Sequence, residues 1–202
     1  MSGGCPDGRA ARLRALAQRD RATRARLVAD GVLFDGYHPE MERVHLENAR
    51  AMEELLDAGG WPEAGEVGEA AAEAALLVAL HAISAPAFQR RCCRLLRAAV
   101  ERGAAPARQL ARLEDRVAFN ERKPQRYGTV FDWDAAGRLS PWTLEDPTAV
   151  EALRQSVGLP ALAEEVARLR RAAGEEGNRP PGDHRARQAE MDAWARRVGW
   201  IE

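Results

Sequence analysis

The chain has no long apolar run, almost no lysine and too few cysteines for a framework, and each shortage removes a class of protein. No stretch of about 18 apolar residues occurs anywhere in the 202 residues, so no membrane-spanning helix is expected. The opening stretch "MSGGCPDGRAARLRALAQ" has no apolar signal region, and the protein is expected in the cytoplasm. Three cysteines, Cys5, Cys92 and Cys93, are an odd set with two adjacent, which is no disulfide framework. No CxxC pair or Cys/His cluster points to a thiolate zinc site. Thirty basic residues balance 31 acidic ones to a net charge of −1. That balance excludes a protein that coats nucleic acid or docks on membranes through a polybasic face. Lys123 is the only lysine, a pattern of coding bias that leaves any pocket cation an arginine. Arginine keeps its charge and binds oxyanions bidentately. P-loop, GxGxxG and GxSxG motifs are all missing, so P-loop nucleotide hydrolysis, a Rossmann cofactor and a serine-hydrolase elbow are unsupported and no cofactor is expected.

What is there reads as helix. A hydrophobic fraction of 46% suffices for a core. Helical spacing of apolar residues predicts helices over 8–30, 39–58, 65–84, 86–103 and 106–120. Pro39, Pro86 and Pro106 mark starts; Gly59-Gly60 and Gly103 mark stops. The stretch "RYGTVFDWDAAGRLSPWTLED" then brings aromatic and β-branched residues to both sides of "DAAG". It predicts a β-hairpin with strands near 127–133 and 138–144. Helices return over 147–157 and 160–173. The polar, Gly- and Pro-rich stretch 174–183 reads as a linker, and 184–202 as a terminal helix. That terminal helix is expected to dock on the body or to pair with a second copy as a homodimer. The expected fold is mainly α: a helical bundle over 8–173 with one β-hairpin insertion near 127–144.

Several polar side chains fall on the apolar stripes. The first helix carries Leu13, Leu16, Asp20, Arg24 and Leu27 on one face, with Asp20 and Arg24 one turn apart. The second carries Met41, Val44, His45, Asn48, Met52 and Leu55; the third ends its stripe at His81; the fourth places Gln89 beside Phe88 and Cys92. Asp115 and Arg116 flank Leu113 and Val117, and Gln125, Tyr127 and Thr129 follow between Pro124 and the hairpin. Burying such groups costs a few kcal/mol each unless they are partnered. Two readings stand: a structural network that satisfies itself, or a polar ligand pocket inside a bundle.

In order along the chain come Asp20-x-x-x-Arg24, Asn48, Gly60-Trp61-Pro62, Val67-Gly68, His81-Ala82, Phe88-Gln89, Leu113-x-Asp-Arg-Val117, Lys123-Pro-Gln-x-Tyr-Gly-Thr129 and Val157-Gly-Leu-Pro160. This ordered set resembles a bacterial, mainly actinobacterial, family known only as a domain of unknown function. The resemblance spans roughly residues 10–170. The family usually has Asp where this chain has His45, and often Gln where it has Leu80 and Val130. The resemblance implies a shared site and, at those three positions, a ligand unlike that of the relatives.

The residues suggest acid–base chemistry. His81 with Asp115 reads as a general base with its carboxylate, and Tyr127 as a proton donor or oxyanion holder. Asp20, Arg24, His45, Asn48, Gln89, Arg116, Gln125 and Thr129 read as substrate-binding. The expectation is a small cofactor-independent enzyme, in specialised metabolism, that hydrolyses, eliminates or cyclises a small polar or anionic molecule. Three alternatives are weighed beside it. One is a non-catalytic module that binds a small molecule, or a protein through Trp133, Trp142, Trp194 and Trp200. Another is a metal centre on Glu42, His45 and His81, since Glu42-x-x-His45 has helical ligand spacing. The third is a Cys93 nucleophile beside His81.

Overall fold

The computed structural model describes residues 6–34 and 36–202, and the side chains of all of these but Pro6 and Asp7; Cys5 lies outside the described residues. Among them the chain is mainly α with one small antiparallel hairpin. It divides into two compact units, 1–109 and 110–202. The first unit holds α1 (Pro6–Ala29), α2 (Pro39–Gly59), α3 (Ala64–Val67), α4 (Glu69–His81) and α5 (Pro86–Glu101). The division falls inside α6 (Ala107–Asn120). The second unit continues with β1 (Phe131–Trp133), β2 (Leu139–Pro141), α7 (Val150–Ser156), α8 (Leu162–Glu175) and α9 (His184–Val198).

In the first unit α1 packs along α4 and α2, so its buried face meets both. α2 begins as its sequence dictates. Pro39 occupies the first turn, His38 Nδ1 accepts from the Glu40 amide at 3.2 Å, and Glu40 and Glu42 meet the positive end of the helix. Gly60, at φ +68°, stops it. All six expected inward residues of α2, including His45 and Asn48, are buried. The helix expected over 65–84 is instead two, α3 and α4. Gly68 at φ +80° interrupts the backbone, a turn that the apolar pattern on either side concealed. The core of this unit is formed by Leu13, Met52, Ala71, Val78 and Leu96 with their neighbours.

In the second unit the hairpin is shorter than expected. Its ladder pairs Phe131 with Pro141, Asp132 with Ser140 and Trp133 with Leu139. Asp134 closes the turn by accepting from the amides of Ala136 and Arg138. The root of the hairpin is built by a side chain. Gln125, fully buried, donates from Nε2 to the carbonyls of Val130 and Trp142 and accepts from the Val130 amide, all at 2.9 Å. After the 176–183 connection, Asp183 caps α9 through the Ala186 amide. α9 is held within its own unit: Arg187 and Gln188 bond Asp132, and Arg122 bonds Gln188 and Asp192.

Candidate functional site

Asp20 is 1% exposed on α1, and two histidines converge on it. His81, the last residue of α4, places Nδ1 2.8 Å from Asp20 Oδ2. His45, on α2, places Nε2 3.1 Å from the same oxygen, close enough for an ion pair but not aligned as a hydrogen bond. The His45 and His81 rings lie 5.1 Å apart. Asp20 Oδ1 and His45 Nε2 are both buried without a hydrogen-bond partner. Burial alone would raise the Asp20 pKa; the two histidines overcome that and hold it well below the usual carboxylate range.

Tyr37 extends the cluster outward. Its hydroxyl lies 2.7 Å from His45 Nδ1 and also bonds Ser84. Ser84 Oγ donates to Glu42 Oε1 at 2.5 Å. Burial, with Glu42 nearby, pushes the Tyr37 phenol far above its ordinary value, so it stays neutral. His45, His81 and Tyr37, together with Arg24, line a cavity of about 190 Å³ in the first unit. The His81 side chain is 35% exposed there, against 1% for Asp20.

These contacts correct two expectations. The carboxylate bonded to His81 is Asp20, not Asp115. The carboxylate that stands with His45 and His81 is Asp20, not Glu42, whose Oε1 is taken by Ser84. Asp20 is turned to the two histidines. Asn48 and Gln89 are buried as expected, but their amides bond backbone: Asn48 Nδ2 to the Leu16 carbonyl at 3.0 Å, Gln89 Nε2 to the Ala79 and Leu80 carbonyls at 2.6 and 3.2 Å. Gln89 thereby ties down the end of α4 that carries His81. Tyr37 was missed because it lies in the α1–α2 connection, where no periodicity marks a face. The aromatic placed just before the His38-Pro39 helix start was its one signal.

Within the second unit Asp115, Gln125, Tyr127 and Thr129 do come together, around one loop. Asp115 accepts from the backbone amides of Arg126 (2.8 Å), Tyr127 (3.1 Å) and Thr129 (2.9 Å) and from Thr129 Oγ1 (3.0 Å). From the other side Arg154, 1% exposed, donates to the carbonyls of Tyr127 (2.6 Å), Gly128 (3.1 Å) and Pro160 (2.7 Å). The Tyr127 side chain packs with Ala111 and Leu159. Burial raises the pKa of both Asp115 and Tyr127. Arg116 lies over the Phe119 ring at 5.6 Å, and burial pushes its guanidinium down to about 10. Arg154 carried no sequence signal beyond an arginine in a short helix. Of the tryptophans weighed as partner contacts, Trp200 is buried, Trp133 bonds Asn178, and Trp142 packs edge-on to Phe119.

A buried carboxylate shared by two histidines at the wall of a small cavity defines a helical protein with a built polar centre. The chain belongs to the family of unknown function DUF6624, whose profile covers residues 8–176. Comparison with curated proteins and with solved structures gave no match. Among the described residues no helix is long and apolar enough to cross a membrane.

Proposed function

We propose that the protein is an enzyme that moves a proton on a small polar or anionic molecule bound in the cavity of the first unit, with His81 as the acid–base group. The observation that carries this reading is the asymmetry of the Asp20–His81 pair: a buried carboxylate holds Nδ1 while the imidazole itself stands at the cavity wall. With Nδ1–H committed to Asp20, Nε2 is the nitrogen left to take or give a proton, the arrangement that fixes a tautomer in acid–base catalysts. Arg24 lines the same cavity. A cavity of about 190 Å³ is below the range of roughly 300–1,000 Å³ typical of drug-sized ligands, which points to a small metabolite. The chemistry this set supports is hydrolysis, elimination or cyclisation. Asp115 and Tyr127 belong to the second unit, where their contacts organise the loop that bears them.

The test is incubation of the purified protein with a panel of small carboxylic acids, amides and phosphate esters, followed by mass spectrometry. Turnover should fall by about 10²–10⁴ in His81→Gln and comparably in Asp20→Asn, with both variants folded by circular dichroism. A molecule that binds in the cavity and emerges unchanged would make the protein a binding module. Turnover that survives both substitutions would also overturn the assignment.

A further inference from the structure

We propose that Asp20, His45 and His81 form a binding site for a divalent transition-metal ion of the zinc class, ligated by a carboxylate oxygen, His45 Nε2 and His81 Nδ1. The inference deepens the proposed function by naming a cofactor for the same centre, and only its catalytic use rests on that reading.

The first argument is the set of buried atoms left without a hydrogen bond. On the outer side of His45, Tyr37 stands 2.7 Å from Nδ1 and also bonds Ser84, which donates to Glu42. On the inner side, His45 Nε2 stands 3.1 Å from Asp20 Oδ2 with no aligned hydrogen bond. The second carboxylate oxygen, Oδ1, is buried and unpartnered as well. A buried carboxylate oxygen and a buried imidazole nitrogen, both without a hydrogen bond and on neighbouring side chains, are a place for a cation.

The second argument is geometric. One atom from each residue lies within 4.8 Å of the other two. Donors of a tetrahedral zinc site, with bonds of about 2.1 Å, stand on the order of 3.4 Å apart. The carboxylate-to-imidazole spacings of 2.8 and 3.1 Å need to open by only a few tenths of an ångström. Two imidazoles and one carboxylate are the donor set of catalytic zinc sites that keep a further position for water or substrate. Both histidines also line the cavity, from which that position is reached. The outer contact is present too: a ligating histidine normally has its other ring nitrogen held by a hydrogen-bond partner, and Tyr37 stands 2.7 Å from His45 Nδ1. A water on such an ion ionises near neutral pH, and the proton-moving role would pass to it from His81.

The test uses the full chain stripped with chelator. Isothermal titration with zinc chloride should show a single equivalent bound, with magnesium giving no heat. Cobalt(II) added to the wild-type protein should give the intense visible bands of tetrahedral nitrogen and oxygen ligation. Long-range ¹H–¹⁵N spectra should show zinc shifting His45 Nε2 and His81 Nδ1. Affinity should drop by at least 100-fold in Asp20→Asn and His45→Ala, by about 10–100-fold in Tyr37→Phe, and not at all in His184→Ala. No zinc binding, or binding equally strong in Asp20→Asn and His45→Ala, would overturn the site. Turnover lost in His81→Gln without any zinc binding sinks the metal and keeps the enzyme. Zinc bound at this cluster with no turnover of any kind keeps the metal and sinks the enzyme.

Discussion

Replacing Asp115 separates a loop-organising carboxylate from a catalytic one. Asp115→Ala removes the acceptor of three backbone amides and one hydroxyl at 2.8–3.1 Å. The Tyr127 amide is fully buried and loses its only acceptor, which costs about 1–3 kcal/mol. The Arg126 and Thr129 amides are half-buried and can recruit water, so each loses about 0.5–1 kcal/mol. Relief of the buried charge returns part of this, leaving a net loss of about 2–4 kcal/mol. Urea denaturation followed by tryptophan fluorescence measures it, and amide exchange at 126, 127 and 129 localises it. Asp115→Asn, which keeps one acceptor but turns an NH₂ toward the donors, should lose about half as much. Burial raises the Asp115 pKa, so folding takes up a proton on this group. The stability of wild type over Asp115→Asn should therefore be greatest at acid pH. It should shrink as pH rises from the ordinary carboxylate value, 3.8, through the raised one, and be flat above. A loss below about 1 kcal/mol in Asp115→Ala, with unchanged exchange at the three amides, would refute this account of the loop.

Two further substitutions probe the same loop. Arg154→Lys should cost about 2–3 kcal/mol by urea midpoint, because an ammonium cannot serve three carbonyls that a planar fork reaches at once. Gly128→Ala should cost about 2 kcal/mol in the same assay: φ is +65°, and the added methyl would stand 3.1 Å from Leu162 Cδ1 and 3.3 Å from Leu144 Cδ2.

The helices were legible because their signals are local. Pro39 and Gly60 bound α2 from adjacent positions, and the buried stripe from Met41 to Leu55 follows from spacing alone. The break at Gly68 was not, since the alanine-rich sequence beyond it is helical by propensity and one glycine inside such a run reads as tolerated. The same division runs through the site. That His45 and His81 interrupt apolar faces is visible in the sequence. That both answer to Asp20 is not, because residues 61 positions apart meet only through the packing of α1 on α4 and α2. A carboxylate has no preference written into its own neighbours: Asp20 turns to two imidazoles from other helices.

The grip on the 126–129 loop bears on how this protein can change. Asp115 and Arg154 hold that segment almost entirely through main-chain atoms, the Thr129 hydroxyl being the exception. Main-chain atoms are the same in every residue but proline, so the anchors are indifferent to which side chain the loop displays. Arg126 is exposed there. Position 126 can therefore be randomised, or used to attach a probe, while the loop keeps its shape, and variation among relatives should gather at such positions and spare the two residues that do the holding.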